Sequence, residues 1–172
     1  TVLLVAPGPL SPVQRAAAWH EGAVKCYPQG GPVSDGTIAP GEYGENFFDG
    51  ATKLLVCVSC DRSPSRLLHG GIVSPWSGWV GFLMQASDVW NGSVNEVRVS
   101  YASGALQVMD GYGNVSEGTT TPDSALGGSS DVMNATTGTT GAARVYEFTI
   151  PLRSSDRYDS QLQSLGPVYF AL

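Results

Sequence analysis

The chain has 172 residues, a formal net charge of −6 and a pI near 4.7. Its length suits one domain with a sizeable core, while its acidic balance excludes the basic surface that nucleic acid or anionic lipid requires. No apolar run reaches the roughly 20 residues that a membrane-spanning helix needs. Gly (22) and Pro (11) are abundant and charged residues make up only 14%, which favours an all-β domain with many tight turns.

Residues 1–12 are set apart from the single domain that we predict for residues 13–172. Val2, Leu3, Leu4, Val5 and Ala6 form a run that is apolar on both faces, and a Pro/Gly-rich linker follows. A strand of this kind needs cover on both sides. It either inserts into its own sandwich or acts as a donor strand that completes the sheet of a second copy. The second arrangement is head-to-tail and would propagate into a filament.

The three cysteines lie at or before residue 60. We predict a weak strand over Trp19–Tyr27, a strand over Lys53–Cys60 and a long irregular loop over residues 61–76. Cys57 and Cys60 then point to opposite faces of one strand and should not pair with each other. In an exported chain, a disulfide from Cys26 to one of them is expected.

The stretch from Ser77 to Gly113 predicts three consecutive antiparallel strands, because apolar residues alternate with polar or small ones. The residues assigned to the core face are Val80, Phe82 and Met84, then Val97, Val99 and Tyr101, then Leu106 and Val108. The rest of the chain is expected to pair with this meander or to pack across from it.

The C-terminal part begins with a Gly/Ser/Thr-rich stretch from residue 111 to residue 142, which we interpret as an excursion over the surface. A clear strand follows over Ala143–Pro151, then a short helical turn at Ser154–Asp156 and a last strand over Gly166–Leu172. The whole pattern predicts a two-sheet antiparallel β-sandwich of the immunoglobulin or jelly-roll type, with about 9–10 strands.

Three acceptor sequons for N-glycosylation start at Asn91, Asn114 and Asn134, all in predicted turns. The chain begins at Thr1 rather than Met. We therefore expect an extracellular or cell-surface protein, exported through a signal peptide already removed.

Oxygen ligands for a hard cation are offered by five aspartates, of which Asp110, Asp123 and Asp131 are the leading candidates for calcium; the other two are Asp156 and Asp159. The alternative is that they form turns, since the spacing is not that of an EF-hand. Trp76, Trp79 and Trp90 lie close in sequence, and an exposed pair would suit stacking on sugar rings, whereas buried ones would belong to the core.

A series of short motifs follows the same order as in a known family. They are Val33-Ser34-Asp35-Gly36, Gly41-Glu42-Tyr43, Gly78-Trp79-Val80-Gly81-Phe82, Asn95-Glu96-Val97-Arg98-Val99, Val108-Met109-Asp110-Gly111-Tyr112, Pro122-Asp123, Leu126-Gly127-Gly128, Asp131, Tyr146-Glu147-Phe148, Pro151-Leu152, Asp156, Asp159 and Val168-Tyr169-Phe170-Ala171. In this order, residues 33–172 resemble the DOMON family of extracellular β-sandwich domains. The resemblance implies an extracellular module that binds haem b for electron transfer, binds sugars or hydrophobic ligands, or serves at the surface.

Haem-binding members hold the iron through a Met and a His, or through a Met and a Lys, which suits electron transfer. This chain departs from that pattern, because the segment Ser87–Gly92 lacks Met and no His follows His69. His69 with Met84 is the one pair that we can nominate as axial ligands.

The low-charge Ser/Thr-rich surface, the sequons and the N-terminal strand favour a non-enzymatic structural protein. We expect a cell-surface or pilus-like filament subunit that assembles with copies of itself by β-strand donation, without a cofactor or catalytic residues. The alternatives are a DOMON-type haem-b electron-transfer domain and a carbohydrate-binding module with glycans as partners.

Overall fold

The computed structural model describes residues 23–25, 31–61, 66–86, 93–114, 119–162 and 167–171; of residues 23–25, 93, 114 and 167–171 it describes the backbone alone. Eleven strands lie in this part of the chain: β1 (Ala23–Lys25), β2 (Glu45–Phe48), β3 (Leu55–Cys60), β4 (Leu67–Ser74), β5 (Trp79–Gln85), β6 (Ser93–Ala102), β7 (Ala105–Asn114), β8 (Thr119–Pro122), β9 (Met133–Thr140), β10 (Ala143–Pro151) and β11 (Pro167–Ala171). A single 3-10 turn, Asp123–Leu126, follows β8.

The strands form two antiparallel sheets that pack against each other, which confirms the predicted β-sandwich. The first sheet has the order β1-β11-β5-β6-β7-β8 and the second has the order β2-β3-β4-β10-β9. Among the described strands, the chain changes sheet four times: between β1 and β2, β4 and β5, β8 and β9, and β10 and β11. Among the described residues, no helix is long and apolar enough to cross a bilayer.

The core lies between the sheets and is built by alternation along the strands. From the first sheet it takes the predicted Val80, Phe82, Met84, Val97 and Val99; from the second it takes Val56, Val58, Leu68, Ile72, Phe148 and Ile150. The rings of Phe82 and Phe148 meet across the two sheets, with centroids 5.9 Å apart. Tyr101 and Val108, predicted for the same face, are 38% and 37% exposed, whereas Leu106 is partly buried against the core.

Several predicted segments differ from the structure. The predicted loop over residues 61–76 contains the eight-residue strand β4, and the predicted surface excursion over residues 111–142 contains the end of β7 as well as β8 and β9. Glycines in β4 and threonines in β8 and β9 hid the apolar alternation. Residues 154–156 form bends rather than a helical turn.

The outer side of the second sheet is covered by the segment from residue 31 to residue 44. Glu147 of β10 is fully buried beneath it, and its carboxylate accepts hydrogen bonds from the backbone N–H groups of Asp35 (3.1 Å) and Gly36 (2.6 Å) and from the Tyr43 hydroxyl (2.8 Å). Burial raises the pKa of Glu147, although these hydrogen bonds oppose the rise. This one carboxylate therefore anchors the covering segment.

Candidate functional site: a buried aspartate cluster

Three aspartates from distant parts of the chain meet at one end of the sandwich. Asp110 lies on the core side of β7, in register with Val97 of β6. Asp123 opens the 3-10 turn, and Asp159 lies in the connection between β10 and β11. One carboxylate oxygen from each lies within 4.8 Å of those of the other two. We call these three residues the aspartate cluster.

The cluster is buried, and four of its six carboxylate oxygens lack a hydrogen-bond partner in the protein. Asp110, Asp123 and Asp159 are 5%, 0% and 8% exposed. Seven buried side-chain polar atoms in the described residues have no partner, and four of them are cluster oxygens: Asp110 Oδ1, Asp123 Oδ1 and Oδ2, and Asp159 Oδ2. An unpaired buried carboxylate costs several kcal/mol, so a cluster of three calls for a compensating group.

The surroundings raise the pKa values of all three carboxyls. Burial is the first cause in each case, and repulsion from neighbouring aspartates adds to it; the pKa of Asp110 is raised, that of Asp123 is raised to about 6 and that of Asp159 to about 7. Within the described chain the ion pairs are Arg98–Glu96 and His69–Asp61, and neither reaches the cluster. The protein's own side chains therefore leave its charge unneutralised.

Two further aspartates hold the loops around the cluster. The carboxylate of Asp156 accepts hydrogen bonds from the backbone N–H groups of Ser129 (2.5 Å) and Tyr158 (3.0 Å), and these bonds lower its pKa. Asp131 donates its backbone N–H to Asp110 Oδ2 (2.5 Å), and its own carboxylate accepts from the Ser154 hydroxyl. The carboxylates of Asp156 and Asp131 thus accept hydrogen bonds from loop residues and hold the loops in place.

Asn95 of β6 connects the cluster to the first sheet. Its Nδ2 donates to Asp159 Oδ1 at 2.6 Å, while its Oδ1 is buried without a partner. The neighbouring Ser160 hydroxyl donates to the backbone carbonyl of Met84 at 3.0 Å. Asn95 Oδ1 is therefore a fifth unpaired oxygen beside the three carboxylates.

A hard divalent cation suits this donor set. All the candidate ligand atoms are oxygens, whereas structural zinc sites use cysteine sulfur and histidine nitrogen. Oxygens that share one Ca²⁺ at about 2.3–2.6 Å lie at most about 5 Å apart, whereas those sharing one Mg²⁺ at about 2.1 Å lie at most about 4.2 Å apart. The cluster oxygens all lie within 4.8 Å of one another, a spacing that one Ca²⁺ can span.

Of the residues nominated for calcium from the sequence, the structure brings Asp110 and Asp123 together. Asp131 lies beside them, but its carboxylate is occupied by Ser154, and Asp159 takes the third place. The residue type alone predicts that all five aspartates could offer oxygen ligands to a hard cation. Which of the aspartates meet depends on how the β8–β9 and β10–β11 connections pack, and the sequence carries no local signal for that packing.

The nominated haem ligands are not brought together. Met84 is 0% exposed in the core between the sheets. His69 of β4 lies on the opposite side of the second sheet, where its Nε2 contacts Asp61 Oδ1 at 3.0 Å and its Nδ1 contacts the Thr149 hydroxyl at 3.2 Å. Because the two side chains are separated by the sheet, they do not form one axial pair.

The Thr149–His69–Asp61 arrangement has the order of a hydrolase triad. Thr149 is fully buried, and the backbone of Gly31 approaches so closely that an added Cβ would lie 2.6 Å from Asp61 Oδ1 and 2.8 Å from His69 Nε2. A substrate carbonyl has no access to this hydroxyl. We therefore assign the network to the packing of Gly31 onto the sheet.

The remaining nominated residues are placed as follows. Cys60 is disulfide-bonded and Cys57 is a buried free thiol whose pKa burial raises to about 12; Cys26 lies outside the described residues.

Asn134 is an exposed residue of β9 with a φ of 50° rather than a turn residue, and Asn114 ends β7. The other nominated residues, namely Asn91, Trp90 and the N-terminal Val2–Ala6, lie outside the described residues.

Comparison with known proteins gives no match to any family model and none to a curated protein.

Proposed function

We propose that this protein is an extracellular structural module whose sandwich is stabilised by a Ca²⁺ ion bound at the aspartate cluster. The observation that carries the proposal is the set of four unpaired carboxylate oxygens on Asp110, Asp123 and Asp159. A bound cation offsets the repulsion among the three buried charges and satisfies their lone pairs at the same time. The disulfide at Cys60 and the exposed sequon at Asn134 support an oxidising, extracellular setting.

The β8–β9 and β10–β11 connections explain why a cation here would stabilise the whole sandwich. Asp123 lies at the start of the connection from β8 to β9, and Asp159 lies in the connection from β10 to β11. Asp110 belongs to the first sheet itself. A single ion therefore ties both crossovers to β7, and its role is structural rather than catalytic.

The experiment is a calcium titration of protein stripped with EDTA, followed by calorimetry and thermal unfolding. We expect one Ca²⁺ to bind per chain, with a stabilisation of about 2.7 kcal/mol at a free concentration 100-fold above Kd. For a domain of this size, that corresponds to a rise in Tm of about 5–10 °C. Mg²⁺ at the same concentration should give a smaller rise, because it demands near-ideal octahedral geometry and gives up its bound water reluctantly.

Asp123→Asn is the diagnostic variant, since it removes a charge but keeps the shape of the side chain. It should abolish the calcium-dependent rise in Tm and, in EDTA, should unfold at a higher temperature than the wild type. Asp35→Asn is the matched control at an exposed aspartate far from the cluster, and it should retain the full response. Equal Tm values for the wild type in EDTA and in millimolar Ca²⁺ would overturn the proposal.

We further propose that copies of the module assemble into a cell-surface filament through donation of the apolar residues Val2–Ala6. The support comes from their sequence and from β9, which borders the second sheet as an eight-residue strand without a charged residue or proline. An outermost strand without charge or proline is a typical site for strand addition.

The haem-b alternative rests on the family resemblance alone. A visible absorption spectrum tests it: a Soret band in the purified protein would favour an electron-transfer domain over a structural module.

A further inference from the structure

The outer face of the first sheet carries an exposed indole that is stacked against an arginine. Trp79 opens β5 and is 64% exposed. The guanidinium carbon of Arg98 lies 4.3 Å from the centroid of its ring, and a Cβ added to Gly81 would be 3.5 Å from its Cζ3 atom. One face of the ring is therefore occupied by the sheet and by Arg98, and the large exposed fraction belongs to the other face.

The charges beneath this indole neutralise each other. Glu96 of β6 is only 3% exposed, and its carboxylate accepts hydrogen bonds from Arg98 Nε at 2.9 Å and from the Thr120 hydroxyl. Arg98 Nη2 also donates to Thr120 Oγ1 at 2.9 Å. Gly81 gives room for the carboxylate, because an added Cβ would lie 2.6 Å from Glu96 Oε1. Arg98 is held in place by these contacts, and it fixes the orientation of the Trp79 ring.

Neutral hydrogen-bonding groups continue from the indole across the sheet. Trp79, Ser100 and Gln107 are directly opposite one another on β5, β6 and β7, so their side chains share the outer face. Ser100 is partly exposed and Gln107 is exposed. The row thus offers a flat apolar surface next to a hydroxyl and an amide, without a free charge.

We propose that this row, Trp79–Ser100–Gln107, binds a neutral saccharide. The apolar C–H face of a hexose ring stacks on an aromatic surface that is open on one side, while its hydroxyl groups pair with neutral donors and acceptors such as Ser and Gln. An anionic polymer would meet no free cation here, because Arg98 is paired with Glu96. An apolar peptide would leave the polar groups of Ser100 and Gln107 unpaired.

The test measures binding of neutral glucose, mannose and galactose oligosaccharides to the whole chain by calorimetry and by tryptophan fluorescence. Trp79→Ala should weaken binding about tenfold or more, as truncation of a central interface tryptophan does. Trp79→Phe should keep most of the affinity, because it retains an aromatic face. Gln107→Ala should give an intermediate loss.

Trp76→Ala is the matched control. Trp76 is similarly exposed, at 58%, but its Nε1 donates to the backbone carbonyl of Thr52, and it lies outside the strand row. Binding should be unchanged in this variant and unchanged by EDTA, which separates this site from the aspartate cluster. The proposal is overturned if no neutral oligosaccharide binds, or if Trp79→Ala and Trp76→Ala bind equally well.

Discussion

A carboxyl that is buried among other carboxyls is ionised only at a cost, and Asp123 shows this at the scale of a single residue. It is fully buried, and both of its oxygens lack a partner. Its pKa is raised to about 6 and that of Asp159 to about 7, whereas an unfolded aspartate titrates near 3.9. Without a cation, the folded chain therefore holds protons that the unfolded chain releases.

The first prediction follows from this proton uptake. In EDTA, stability should be greatest at low pH and should fall as pH rises through about 6–7, because the native state binds more protons than the unfolded state. In saturating Ca²⁺ this fall should disappear, because above about pH 5 neither the ion-bound native state nor the unfolded state holds these protons. Urea unfolding between about pH 5 and pH 8, with and without Ca²⁺, measures both slopes.

Asp123→Asn tests whether Asp123 is one of the groups that take up a proton in the native state. Its profile in EDTA should be flatter than that of the wild type, because one titrating group is gone. A wild-type free energy of unfolding that rises with pH in EDTA would contradict the raised pKa values of the cluster.

The residue scale also shows what the sequence can predict. Five aspartates within 50 residues indicated a hard-cation chemistry, because carboxylate oxygen is the ligand that calcium prefers. That Asp131 and Asp156 are instead paired with Ser154, Ser129 and backbone N–H groups could not be predicted. Those partners are brought near only by the folded crossovers.

At the scale of the element, β4 shows how a strand can escape sequence analysis. Its core face carries Leu68, Gly70 and Ile72, so the central position has no apolar side chain. Phe148 of the adjacent β10 lies in register with Gly70, and its ring fills the space that a side chain would take. On β5 and β6 no glycine takes a core-facing position, so the alternation of apolar residues predicts these strands of the meander.

The second prediction concerns this close packing. A Cβ added to Gly70 would lie 2.5 Å from Phe148 Cζ, and Phe148 is itself fully buried against Phe82. Gly70→Ala should therefore destabilise the fold by about 1–3 kcal/mol, the usual cost of overpacking a core. The measurement is urea unfolding in saturating Ca²⁺.

Gly50→Ala is the matched control, because an added Cβ meets nothing within 4 Å there. It should be neutral or slightly stabilising, since alanine lowers the entropy of the unfolded chain. If both variants unfold at the same urea concentration, the packing of Phe148 over Gly70 does not contribute as described.

At the scale of the whole molecule, the proposed calcium site and the proposed strand donation involve different features of the sandwich. The cluster brings together β7 and two of the four connections between the sheets, β8–β9 and β10–β11. The described open edges are those of the outermost strands, β1 and β8 in the first sheet and β2 and β9 in the second. Stability of one module and assembly of many modules should therefore be separable by experiment.

The last prediction tests that separation. Deletion of residues 1–8 should abolish filaments, because the apolar strand Val2–Ala6 is no longer available to complete a neighbouring sheet. The truncated chain should remain a monomer that is somewhat less stable but keeps its calcium-dependent rise in Tm. Size-exclusion chromatography and negative-stain microscopy follow assembly, and a synthetic peptide of residues 1–12 should compete with assembly of the intact chain. Filaments that persist after the deletion would exclude donation, whereas loss of the calcium response would show that the N-terminus contributes to the sandwich itself.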